Sequence, residues 1–276
     1  MRLTTALMAT AAMLAAGAAQ AASVEVKDAV ARVTIVPEDR TDVRVELVTT
    51  HPGLPLQVRT VGDRTIVDGD VDRRIRSCNG EGNRAVVRVR DLGDVAYRDM
   101  PQVVIRTPRD VKIETSGAVF GTVGRSASLD FGALGCGDWT VANVDGELRL
   151  AQLGSGDVRT GGAASGRVRT AGSGDIATGA IRGPLSVDIA GSGDVSAVSV
   201  AGELTVKIAG SGDVEVAGGR ATRMTVSIAG SGDVDFGGVA DSLTARVAGS
   251  GDIRVREVRG EVSRSSLGSG TVKIGP

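Results

Sequence analysis

The chain has 276 residues, and its Lys+Arg 32 against Asp+Glu 33 leave a formal charge of −1. That balance argues against a nucleic-acid binder, which needs a basic footprint. The few aromatic residues, Tyr97, Phe120, Phe131, Trp139 and Phe236, argue against base-stacking and most sugar-stacking platforms. His51 is the only His, which rules out a His-rich metal site, and 40 Gly without a Gly-X-Y period is not collagen.

Met1–Ala21 has the grammar of a secretory signal peptide. Arg2 supplies the positive start, Leu3–Ala16 the apolar run, and Ala19-Gln20-Ala21 the small-x-small cleavage site. The run is too short to span a bilayer, and no later segment qualifies. The expectation is an exported chain starting at Ala22, periplasmic or at the cell surface, with no membrane span.

Residues 22–110 are β-rich but irregular. Val33–Val36, Val43–Val48 and Val86–Val89 predict strands, punctuated by Gly, Pro and Asp. Asp68–Gly82 is polar and is expected to be a surface loop around Cys78. Val103–Ile105 and Val111–Ile113 lead into a repeat region. Residues 22–110 are expected to cap that repeat structure, which spans 111–276, since an open repeat end exposes unpaired backbone and apolar side chains.

The repeat is Gly-Ser-Gly-Asp followed by Val or Ile. It occurs at Gly154–Asp157, Gly172–Asp175, Gly191–Asp194, Gly210–Asp213, Gly230–Asp233 and Gly249–Asp252. Gly135–Asp138 carries Cys136 in place of Ser, and Gly268–Thr271 has lost the Asp. Steps are 18 to 20 residues, with alternating strands such as Leu204-Thr205-Val206-Lys207-Ile208 between motifs. One short strand pair cannot bury its apolar face alone, but coils stacked at the sheet spacing can. The expected fold is therefore all-β: a single-stranded parallel β-solenoid (β-helix) of about 19 residues per coil. Right-handed winding is favoured by the general crossover preference. Gly at the corners is expected to supply φ > 0 and close backbone approach.

The repeats, with Gly-x-Leu-x-Val-x-Ile strands between them, resemble the family of the putative auto-transporter adhesin head GIN domain. The likeness is strong over Val111–Ile274 and looser over Val24–Asp110. It implies a β-helix in the bacterial cell envelope and supplies no catalytic residues. None of these 276 residues is expected to form a translocator barrel.

The candidate functional array is the Asp column: Asp138, Asp157, Asp175, Asp194, Asp213, Asp233 and Asp252. Stacked near one sheet spacing, neighbouring carboxylates repel by about 1 kcal/mol in water, so something must offset them. One answer is local Asx-type capping of each corner. The other is calcium, with Asp157, Asp175, Asp194, Asp213, Asp233 and Asp252 as weak metal candidates. The calcium-binding β-roll motif has a nine-residue period, about half of this one. A catalytic carboxylate pair should differ from its neighbours, and here every coil carries the same Asp. Cys78 and Cys136 are a disulfide candidate, with free thiols the alternative and a catalytic thiol lacking an imidazole partner. The resulting expectation is a non-enzymatic envelope protein with an adhesin-like binding role and no cofactor. Its partner would be an envelope polysaccharide or a surface protein, not nucleic acid. The alternatives are end-to-end self-association through the C-terminal coil edge, and a calcium-binding or polysaccharide-active β-helix.

Overall fold

The computed structural model describes residues 22–275; Met1–Ala21, the expected export signal, lie outside the described residues. The chain is all-β with almost no helix, a parallel β-solenoid of about nine turns with roughly 19 residues per coil. No helix among the described residues is long and apolar enough to cross a membrane.

Each coil contributes a strand to two main ladders. On the first, Leu185, Leu204, Met224 and Leu243 lie in register on successive coils, beside Val187, Val206, Val226 and Ala245. On the second, Val195, Val214, Val234 and Ile253 do the same. A third, narrower ladder is formed by short pairings such as Ile181 with Val200 and Ala221 with Ala240. Alternation of apolar and polar residues sends one set inward on every coil, so the inward columns fuse into one continuous core. Fully burying each such Leu, Val or Ile is worth about 1.5–3 kcal/mol. The large rings need local room. Phe131 and Trp139 meet edge to face at 4.9 Å between centroids, and a Cβ on Gly121 would strike the Trp139 ring at 2.6 Å.

The parallel stack begins before the first Gly-Ser-Gly-Asp motif. The long strand Ala22–Pro37 pairs in parallel along Asp110–Val123, and both bend at the level of the later corners. Neither carries the motif. Their corner is made by Asp28, whose φ is 47°, and Gly117, whose φ is 97°. The Ser116 hydroxyl accepts the Asp28 N–H at 2.8 Å. On the outer side of Ala22–Pro37, Arg64–Asp68 and Gln102–Thr107 complete one more parallel layer. Two antiparallel strands then end the stack: Gln57–Val61 on Arg64–Asp68, and Arg44–Thr49 on Gln102–Thr107.

Between Asp68 and Gln102 the chain leaves the stack. Ile75–Asn79, Val86–Val89 and Gly93–Ala96 form a small antiparallel sheet. Asp68–Gly82 is therefore not wholly a loop. Its strand was hidden because Ile75-Arg76-Ser77-Cys78-Asn79 is polar and gains its order by pairing with the apolar Val86–Val89. A second apolar cluster seats this sheet on the solenoid: Val71, Val87, Val89, Val95 and Met100 pack with Val30, Ala118 and Phe120.

The corner glycines follow one half of the expectation and not the other. Gly193 and Gly212 do not take a left-handed φ; that conformation falls on the first glycine of later corners, as at Gly249 with φ 139°. Both positions are held to glycine by approach. A Cβ at Gly191 would lie 2.5 Å from the Gly172 carbonyl oxygen, and one at Gly193 would collide with the Gly174 carbonyl oxygen.

Candidate functional site

The corner column is ordered by hydrogen bonds that run between coils. The amides of Ser192 and Gly193 both donate backward to the Gly172 carbonyl at 3.1 Å, whereas Val195 donates forward to the Asp213 carbonyl at 2.9 Å. The chain changes direction between them, and the Asp194 amide is left without a main-chain acceptor in either coil. The Asp175 carboxylate fills that gap, with Oδ1 at 3.0 Å from the Asp194 nitrogen.

The same step repeats along the column. Asp157 donates to Asp138 at 3.1 Å, Asp175 to Asp157 at 3.0 Å, and Asp213 to Asp194 at 2.8 Å. Asp233 donates to Asp213, and Asp252 to Asp233, both at 2.7 Å. At the last corner the missing Asp is replaced by Thr271, which donates both its N–H at 2.9 Å and its hydroxyl at 2.8 Å to Asp252. The expected local Asx capping is corrected accordingly: donor and acceptor lie 18 to 20 residues apart. The motif repeats once per coil, so sequence neighbours cannot reveal a partner one coil away.

Hydrogen bonding to the charged form favours it. The Thr271 hydroxyl and amide hold the Asp252 carboxyl below its ordinary value, helped by Lys273 and Arg254. Among the described residues, no group of three or more His, Cys, Asp or Glu side chains converges as a metal site would require. His51 stands away from the column, in the segment between the two terminal antiparallel strands. Its Nδ1 accepts the Gly53 N–H at 3.1 Å.

The first corner is different. Cys136 occupies the outward Ser position and is joined to Cys78 in a disulfide, with a Cα–Cα distance of 6.2 Å. Asp138 uses its second carboxylate oxygen to accept the Gly82 N–H at 3.0 Å. The excursion is thus fastened through two of the four motif residues.

The outward faces are polar and regular. Ser186, Thr205, Thr225, Thr244 and Ser263 stand on five successive coils in one column. None of these hydroxyls hydrogen-bonds within the chain among the described residues. Glu215, Asp235, Arg254 and Lys273 form a mixed-charge column on the second ladder. Asp188 lies beside Lys207 in register, but its ion pair is with Arg169 on the other side, at 3.5 Å. On the third side Asp145 gathers Arg125 at 2.6 Å and Arg109 at 3.3 Å, and the Arg125 guanidinium holds its carboxyl below the ordinary range. These pairs are exposed, and solvent screening leaves them little weight in stability. Sequence reasoning missed Gln152, which is buried in an inward column between Ala133 and Thr170. Its amide brackets its own corner, donating to the Gly156 carbonyl and accepting the Gly154 N–H.

The geometry is that of a repeat solenoid whose corners are hydrogen-bonded from coil to coil. The chain belongs to the family described as "Putative auto-transporter adhesin, head GIN domain", which matches residues 97–218 and 166–275. Among solved structures it is similar to a putative lipid binding protein from Parabacteroides distasonis ATCC 8503. That likeness is at 18% identity over 93% of each chain, with a TM-score of 0.61. A putative cell adhesion protein from Clostridium sporogenes ATCC 15579 also matches, at 9% identity over 92% of this chain and 93% of that one. Its TM-score is 0.22. The first of these supports the fold; the second is too distant to do so. No curated protein matches the chain.

Proposed function

We propose that this is an exported cell-envelope protein that binds without catalysis, using the outward faces of the solenoid as a rigid adhesin-like surface. The observation that carries this reading is the hydroxyl column from Ser186 to Ser263. It offers donors and acceptors at the repeat spacing of the sheet, and the chain itself leaves them unused. A polymer with regularly spaced hydroxyl or carboxylate groups, such as an envelope polysaccharide, matches such a surface. Membership of an adhesin-described family supports the same reading.

The test is binding of the purified protein to isolated envelope fractions and a polysaccharide panel, with and without calcium. Soluble sugar products are assayed in the same tubes. Saturable binding without product, lost in the Thr205→Arg/Thr225→Arg variant, is the expected result. Product release would overturn the non-catalytic reading. Loss of binding in chelator would bring the Asp column back as an ion site. Binding unchanged in the double variant would remove the hydroxyl column from the surface.

A further inference from the structure

The two ends of the solenoid core finish differently: one is largely apolar in its inward columns, the other is mixed. At the end formed by the antiparallel strands, the inward columns finish on Val45, Leu47 and Val58, with Val43 and Leu56 packed alongside. No further layer covers them among the described residues. Leu47 is 40% exposed and Val58 45%, and the neighbouring Val48 and Val61 reach 48% and 61%. At the other end the inward columns finish on mixed chemistry: Val262, Val272 and Ile274 continue the apolar columns of Leu243, Ile253 and Val255, but two columns turn polar. Arg264 follows Ala245 in register, and Ser266 follows Val247. The Arg264 guanidinium reaches across to the Val272 carbonyl at 3.2 Å, and the Ser266 hydroxyl donates to the Gly270 carbonyl at 2.9 Å.

We propose that the apolar end is a two-fold interface with a second copy of this chain, joined end to end through Arg44–Thr49 and Gln57–Val61. Three observations converge on a second copy. The first is the apolar end plate itself, which gains by being removed from water. The second is strand polarity. Arg44–Thr49 and Gln57–Val61 each pair on one edge only among the described residues. A two-fold axis normal to a sheet sets an edge strand antiparallel to its own copy, which is an isologous and closed contact. The third is charge. Arg44 and Glu46 lie two residues apart on the outward side of the edge strand, both exposed, and neither has an ion-pair partner among the described residues. Antiparallel pairing about Val45 puts each Arg44 opposite the partner's Glu46. The β-bulge between Leu47 and Thr49 lies beyond the paired stretch. A two-fold contact uses the same patch on both copies, so it closes as a dimer and does not propagate as a fibre.

Sedimentation velocity of the purified protein across a wide concentration range tests this. The expected result is a reversible doubling of mass. Arg44→Glu alone and Glu46→Arg alone each weaken the dimer by about tenfold or more, because both attractive pairs become repulsive. The double reversal Arg44→Glu/Glu46→Arg restores it. Leu47→Glu/Val58→Glu leaves a folded monomer by circular dichroism; should that variant unfold, the charge reversals decide the matter alone. A protein that stays monomeric at every concentration overturns the proposal. So does a dimer indifferent to both charge reversals, or one abolished by Leu267→Glu at the opposite end.

Discussion

The corner at Gly135–Asp138 and the corner at Gly191–Asp194 are built from the same four-residue frame and serve different ends. In the second, Ser192 faces solvent and Asp194 serves only the coil stack. In the first, Cys136 and Asp138 also hold the excursion through a disulfide and a hydrogen bond to Gly82. The two glycines and the carboxylate are demanded by the backbone in both. The outward residue is not, so that is where one coil can be given a different task without disturbing the rest.

The largest effect should come from breaking the shared frame. Gly193→Val drives a side chain into the Gly174 carbonyl, and should cost about 3 kcal/mol or more. Ser192→Val, one residue away on the solvent side, should stay within about 0.5 kcal/mol of the parent. Urea denaturation of the two variants measures the contrast; equal midpoints would contradict the corner geometry.

Next comes the feature peculiar to the first corner. The Cys78–Cys136 bond spans a sequence separation of 58 residues, and its removal typically costs about 2–5 kcal/mol. In Cys78→Ser/Cys136→Ser, amide exchange should rise through Ile75–Ala96 while Leu185–Val247 keeps its protection. Uniform loosening of both regions would show that the excursion is not a separate unit seated on the stack.

A smaller effect is expected within the repeat. Asp213→Ala leaves the Asp233 amide without its acceptor and should cost about 1 kcal/mol. Asp213→Asn keeps an acceptor oxygen and should recover most of that loss. If the two variants are equally unstable, charge and not hydrogen bonding is what the column supplies.

The smallest is a titration. The folded-state pKa of Asp252 is depressed, chiefly by the Thr271 hydroxyl. Its contribution to stability is therefore complete above the unfolded carboxylate value and is lost as pH falls through the lower folded value. Thr271→Val removes the hydroxyl and keeps the backbone donor, so the Asp252 midpoint should move up toward the ordinary value. Carboxylate NMR would detect this, and an unmoved midpoint would assign the depression to the Thr271 backbone N–H together with Lys273 and Arg254.

The solenoid was legible because Gly-Ser-Gly-Asp recurs at the length of one coil, and because strands such as Leu204–Ile208 alternate cleanly. The coils through Ala22–Pro37 and Asp110–Val123 were less so. Their corner uses Asp28, Ser116 and Gly117 in place of the motif, and their pairing spans a sequence gap filled by the excursion. The Asp residues were visible as an array, but their hydrogen-bond partners were not. Which amide loses its main-chain acceptor depends on how stacked coils change bonding direction at the corner, and that is a property of register. The apolar end was hidden for a similar reason. Leu47 and Val58 look like ordinary strand residues until their place in the outermost layer is known.

The most direct test of this account is amide hydrogen exchange at Asp213, in the parent protein and in Asp194→Ala. With Asp194 Oδ1 at 2.8 Å from its nitrogen, the Asp213 amide should be protected in the parent. In the variant it should exchange much faster, with Leu204–Ile208 and Met224–Ile228 unchanged. An Asp213 amide that exchanges at the free rate in the parent protein, or that stays protected in the variant, would contradict the carboxylate-to-amide column.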